Sequence, residues 1–194
     1  LEGSVFMAGA LMQWLRDGLG LIGDVSETEQ LAKSVPDSAG VCVVPAFTGL
    51  GAPYWDANAR GAIYGLTRGA TKAHVVRACL EAQGFQVQDV LEGMARDAEA
   101  PVSVLAVDGG ACRNSFMLQC CADIVGAAIQ RPQCVESTAL GAAYLAGLAT
   151  GFWQSTEEIA SLRGVECTFT PKASAEKRSR MLAYWHDCVA RTRS

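Results

Sequence analysis

A chain of 194 residues, half of them hydrophobic and 19% charged, has the length and balance of one well-buried globular core. A formal net charge of -4 argues against a nucleic-acid partner, because such binding rests on neutralising phosphates. No apolar run is long enough to cross a bilayer.

The chain opens at Leu1, without methionine, in a strand-like segment that runs to Gly9. No signal peptide opens the chain, and the abrupt start suggests a piece of something longer. A helix follows, with Leu11, Trp14 and Leu15 at helical spacing. Ser26 with Glu29 reads as a capping box for a second, short helix. Pro36 to Gly40 is a turn, and "VCVVPAF" a buried strand ended by Pro45. "TGLGAPYWDANARGA" is too rich in glycine, proline and asparagine for regular structure and reads as a long ordered loop. "AIYGLT" is a second short strand.

The longest helix is expected from Thr71 to Asp97, with Val76, Leu80, Val87, Leu91 and Met94 forming one apolar stripe. "VSVLAV" is a strand, followed by a helix from about Asn114 to Ala127. A short strand is expected around Pro132. In "STALGAAYLAGLATG", the small residues Ala139, Ala143 and Gly147 line one side of a helix, which would let it lie close to a sheet. Ser155 with Glu158 makes another capping box, and a last amphipathic helix runs from about Ser174 to Arg191. Strands alternating with helices imply an α/β layer fold.

Eight cysteines suggest disulfides by number, but not by position. Cys42, Cys79, Cys120 and Cys121 lie in apolar runs, where a thiol packs as a small hydrophobe. No Cys-x-x-Cys pair exists, so no zinc site is expected. A reducing, cytoplasmic setting fits. The basic tail (Lys172, Lys177, Arg178, Arg180, Arg191, Arg193) is interrupted by Glu176 and Asp187 and reads as a solvated helix face.

One spacing occurs twice. Gly9 is followed four residues later by Gln13, and Gly110 by Asn114, each at an expected strand-to-helix turn. Glycine lets a ligand reach backbone where a Cβ would block it. A residue four positions on lies one helical turn deeper on the same side. A carboxamide there offers a donor and an acceptor to a heterocycle edge or a ribose hydroxyl. A turn glycine followed by a helix cap would show the same spacing, and both readings stay open on the residues alone. Neither a Walker A loop nor Gly-x-Gly-x-x-Gly is present. Asp108 could approach a metal-bound phosphate or simply bind turn amides. His74, Tyr54 and Trp55 read as packing or surface residues. No serine–histidine–aspartate set and no paired carboxylates are visible.

The segments "LEGSVFMAGALMQWLRD", "VPAFTGLGAPYWDANARGAIYGLTRG", "VDGGACRNSFMLQCCADI" and "ESTALGAAYLAGLATGFW" resemble the FGGY carbohydrate kinase family. The resemblance spans nearly the whole chain and thins after Gly164. "GLGAPYWD" followed by "ARGAIYGLTRG" points to the glycerol-phosphorylating branch. It implies an actin-like (ribonuclease H-like) ATPase fold, a mixed sheet flanked by helices. Residues 1–194 would be the nucleotide-binding side of the second domain, incomplete at its N-terminus. It further implies ATP with Mg2+, glycerol as substrate, and adenine nucleotide contacts at Gly9, Gln13, Gly110 and Asn114. The family's phosphate loop, glycerol contacts and catalytic aspartate find no counterpart, so no catalytic residue is expected here. Another FGGY sugar or polyol kinase, or an inert actin-like nucleotide-binding module, are the alternatives. Homo-oligomer formation is left open.

Overall fold

The computed structural model describes residues 2–98 and 102–194. Its elements run α1 (Gly9–Asp17), α2 (Glu27–Lys33), β1 (Cys42–Val44), β2 (Ala62–Tyr64), α3 (Lys72–Ala98), β3 (Val104–Ala106), a 3-10 turn (Gly110–Arg113), α4 (Ser115–Val125), β4 (Ala128–Pro132), α5 (Ser137–Thr150), α6 (Thr156–Ser161), β5 (Val165–Phe169) and α7 (Ala175–Thr192). Strands β1 and β2 pair antiparallel, Val43 opposite Ile63. The other sheet has the order β3-β4-β5, parallel and then antiparallel, so it is mixed as expected.

Helix α3 is the spine. Its centre, from Ala78 to Phe85, is buried on every side rather than along one stripe. The small residues Ala78, Cys79, Ala82 and Gly84 make that possible, because they let neighbours close in all round. The polar residues of this stretch and of the next turn are enclosed with them. Arg77 Nε donates to Glu81 Oε1 at 3.0 Å. Asp89, 3% exposed, accepts from Tyr54 Oη at 2.8 Å, from Trp185 Nε1 at 2.8 Å, and meets His186 Nε2 at 3.1 Å. One carboxylate thereby ties the loop after β1 and helix α7 to the spine. Trp185 also stacks on Phe85, with centroids 5.1 Å apart.

Several expectations change. Residues 2–8 form no strand, since no neighbouring strand pairs with them among the described residues. Instead, Met7 C=O accepts from Gln86 Nε2 at 3.1 Å. Gly9 is therefore the first residue of a helix, not the end of a strand. Ser26 is itself helical and makes no cap. Asp24 Oδ1 takes the Ser26 N–H, and Glu27 Oε1 takes those of Gly23 and Asp24. Strand β5 stands where no element was expected. Helix α5 buries none of its residues, with Leu145 70% exposed, so it does not lie on the sheet. Its Gly147 is covered by Trp153, whose ring occupies the space a Cβ would need.

Other expectations hold. Ser155 Oγ accepts from Glu158 N, and Glu158 Oε2 accepts from Gln154 N. The long loop is ordered by reciprocal Leu50–Asp56 backbone bonds of 2.7 and 2.9 Å. The basic tail is a helix face: Arg180 and Arg191 pair with Glu176 and Asp187. Arg178 donates to the C-terminal carbonyls of α4, Ile124 O and Val125 O. All eight cysteines are free thiols, and Cys42, Cys79 and Cys121 are buried. No helix among the described residues is long and apolar enough to cross a membrane.

Burial pushes Asp89 above the ordinary carboxylate range despite its three hydrogen-bonding neighbours, and Glu81 likewise despite Arg77. The folded chain then keeps protons that the unfolded chain has released. Stability should fall as pH rises from the ordinary carboxylate value through the raised ones. Asp89→Asn keeps the shape and removes one such group. Urea midpoints between pH 4 and 7 should fall less steeply in this variant than in wild type, and equal slopes would count against the assignment. Asp89→Ala leaves the buried Trp185 indole N–H without its acceptor and should cost about 1–3 kcal/mol.

Candidate functional site

The turn between β3 and α4 begins with an unusual backbone. Gly109 has φ 83° and ψ 170°, a region open essentially to glycine alone. The 3-10 turn follows, and Asn114 then caps α4, its Oδ1 accepting from Met117 N at 2.9 Å. The other end of the same carboxamide reaches α2: Nδ2 donates to Thr28 Oγ1 at 3.1 Å, and Thr28 Oγ1 donates to Val25 O at 2.7 Å. Glu29, released from the expected capping box, accepts the Ser115 N–H at 3.1 Å. Arg131 on β4 braces the turn from behind through Cys112 O and Ser115 Oγ, each at 3.1 Å, and pairs with Glu166.

These ties leave a cleft of ≈ 440 Å³ between α1, α2, the middle of α3 and the start of α4. Gly9, Gln13, Gly110 and Asn114 all line it. The two glycine–amide pairs, 101 residues apart in sequence, thus meet at one place. Met12, Val25, Leu80 and Met117 give it apolar walls. A Cβ built on Gly9 or on Gly110 meets nothing within 4 Å, and neither residue has the positive φ that would itself require glycine. The fold's own packing would accept a larger side chain at both; the space they leave belongs to the cleft.

The electrostatics are mild. Arg113 is the cation of the lining and Glu29 the acid. The N-terminus of α4, a ready anion seat when bare, already holds the Glu29 carboxylate and the Asn114 side chain. Apolar walls with convergent carboxamides suit a heterocycle and a sugar better than a phosphate chain.

The remaining candidates lie elsewhere. Asp108 is exposed, in a separate groove of ≈ 510 Å³ with Gln133 and Tyr144. Its carbonyl accepts from Cys112 Sγ at 2.6 Å. His74 Nδ1 meets the Thr71 N–H and hydroxyl at the start of α3. Tyr54 packs the loop down through Asp89, whereas Trp55 is 77% exposed. Among the described residues no three His, Cys, Asp or Glu groups converge as a metal cage. Sequence reasoning missed Thr28 and Gln83. A glutamine inside the apolar run of a long helix was the available signal for the second.

The fold is that of an actin-like ATPase domain. The resemblance is measured by Plasmodium falciparum glycerol kinase with ADP, whose crystal structure superposes with a TM-score of 0.90 at 36% identity, over 98% of this chain and 38% of that one. A gluconate kinase from Lactobacillus acidophilus superposes with a TM-score of 0.76 at 26% identity, over 95% of this chain and 37% of that one. Residues 1–150 match the C-terminal domain of the FGGY family of carbohydrate kinases, and the chain belongs to that family. Glycerol kinase of Shewanella halifaxensis is 54% identical over 193 residues, 100% of this chain and 39% of the relative. Glycerol kinase 2 of Thermotoga maritima is 54% identical over 192 residues, 99% of this chain and 39% of the relative. The chain thus spans about two fifths of the length of the curated relatives it matches.

The two glycines of the turn should separate in a stability assay. Gly109→Ala forces an alanine into a strained region and should cost about 1–3 kcal/mol. Gly110→Ala enters open space and should move the urea midpoint little. Asn114→Ala removes a cap and the link to α2, at a cost of about 0.5–2 kcal/mol. Equal losses at Gly109 and Gly110 would show that both glycines serve the turn.

Proposed function

We propose that this chain forms the adenine nucleotide side of an ATP-dependent glycerol kinase, which moves the γ-phosphoryl of ATP to glycerol and releases glycerol 3-phosphate. The observation that carries the reading is the convergence of Gly9, Gln13, Gly110 and Asn114 on one cleft with open space at both glycines. The similarity to glycerol kinases, one of them described with ADP, supports the same ligand and the same acceptor. All 194 residues are read as one nucleotide-binding domain.

Phosphoryl transfer is catalysed mainly by positioning and charge stabilisation. The residues of this chain bind and orient. The apolar walls take the base, Gln13 and the remaining hydrogen-bonding capacity of Asn114 serve the polar edges of base or ribose, and Gly9 and Gly110 let the ligand approach backbone. No residue of the chain is assigned a catalytic role. Mg2+ would screen the phosphates, and the described residues do not themselves cage it. A cytoplasmic setting is consistent with the free thiols, of which Cys79 and Cys121 are pushed up to about 12 by burial and so stay protonated.

Gly110→Val is the direct test. A Cβ at this position meets nothing within 4 Å in the fold itself, and the branched side chain would stand where the ligand approaches. Calorimetric titration of ADP should show binding weakened about tenfold or more, with an unchanged melting temperature. Unaltered ADP affinity in the folded variant would move the nucleotide seat elsewhere.

A further inference from the structure

Gln83 lies on α3 at the inner end of the cleft, next to Leu80 in its lining. It is 7% exposed, and its Nε2 finds no hydrogen-bond partner among the described residues. A buried amide donor without a partner is costly and uncommon in a folded protein. Its neighbours on the helix show how such groups are otherwise treated: Glu81 is paired with Arg77, Gln88 with Glu92, and Gln86 with two carbonyls. Gln83 alone of these is left open, and it is the one that lines the cleft.

The depth of the cleft decides what that partner is. Gly9, Gln13 and Gly110 are exposed and stand at the rim, whereas Leu80, Met117, Met12 and Gln83 are buried and form the floor. The flat, mostly apolar part of a nucleotide is its base, and its ring nitrogens are acceptors. We infer that Gln83 is a further nucleotide-binding residue, donating from Nε2 to a ring nitrogen of the purine at the floor of the cleft. This rests on the nucleotide reading above. Thr28 gives no competing donor there, since its hydroxyl proton is committed to Val25 O. Gln83 is therefore kept unsatisfied in the empty protein and satisfied by ligand.

The inference has a signature that a packing role would not produce. Gln83→Met matches the size and removes the orphaned amide. It should raise the melting temperature of the ligand-free chain, while ADP binding weakens a few-fold to about tenfold. Titrating 1-deaza, 3-deaza and 7-deaza ADP analogues then identifies the acceptor. One of them should lose as much affinity for wild type as the mutation costs, and bind the methionine variant no worse than ADP does. Gly110→Val is run beside it. If wild type fails to bind ADP, or Gly110→Val binds it as well as wild type does, the nucleotide reading fails, and the assignment of Gln83 with it. If Gly110→Val loses ADP while Gln83→Met binds it with wild-type affinity, the inference about Gln83 alone is wrong. Weakened binding to Gln83→Met with no deaza analogue matching the loss overturns the ring-nitrogen contact.

Discussion

Helices α3 and α4 approach so closely that a single methyl on Gly84 would lie 2.9 Å from Ile124 Cδ1 and 3.3 Å from Cys121 Cα. The floor of the cleft and its α2 side follow from this contact. It sets Leu80 and Gln83 of α3 beside Met117 and Asn114 of α4. It brings the start of α4 within reach of α2, where Thr28 and Glu29 receive it through Asn114 and Ser115. Glycine inside a helix sacrifices about 1 kcal/mol against alanine. Here the loss is offset by the burial of both helices' apolar faces, and the return is a cleft whose floor is held rigidly by packed backbone.

Polar side chains inside this core divide into two kinds. Asp89, Asn114 and Thr28 are engaged by the protein and join elements distant in sequence, and Glu81 is paired with Arg77 within α3. Gln83 is buried with its amide donor unpaired. The first kind gives the domain a unique arrangement. The second is a local cost in stability held next to the place where a ligand would enter. Asn114 belongs to both the scaffold and the site, so its replacement mixes a stability loss with a binding loss. Gly110 does not, because it sits in ordinary backbone with open space above it.

Local residues made part of this legible. The Gly110-to-Asn114 spacing was legible because both residues lie in one short turn and helix start; Asn114 proves to be a helix cap as well as a residue of the cleft. The matching Gly9-to-Gln13 spacing pointed to the same place even though the expected strand before Gly9 does not form. Whether a strand forms depends on a pairing partner, which residues 2–8 lack among the described residues. Strand β5 was overlooked although Val165, Cys167 and Phe169 alternate with polar residues; it gains its place by pairing with β4. The Ser26–Glu29 capping box failed because Asp24, two residues earlier, takes the Ser26 amide. The burial of Gln83 has a tertiary cause, and its place in an apolar run was the one sequence signal for it. A glutamine on a helix reads as solvent-facing until the packing of α4 against Gly84 shows that water is excluded there. The FGGY resemblance supplied the fold and the ligand class, and the spacing located the residues.

The central claim is that an adenine nucleotide occupies the cleft between α1, α2, α3 and α4. It is tested most directly by following the backbone and side-chain amide resonances of the isotopically labelled chain during an ADP titration. The account predicts saturable shifts at Gly9, Gly110 and the carboxamides of Gln13, Gln83 and Asn114, with Asp108 and Tyr144 unmoved. Saturable shifts gathered around Asp108 and Tyr144, or no shifts at nucleotide concentrations well above those that saturate related kinases, would contradict it.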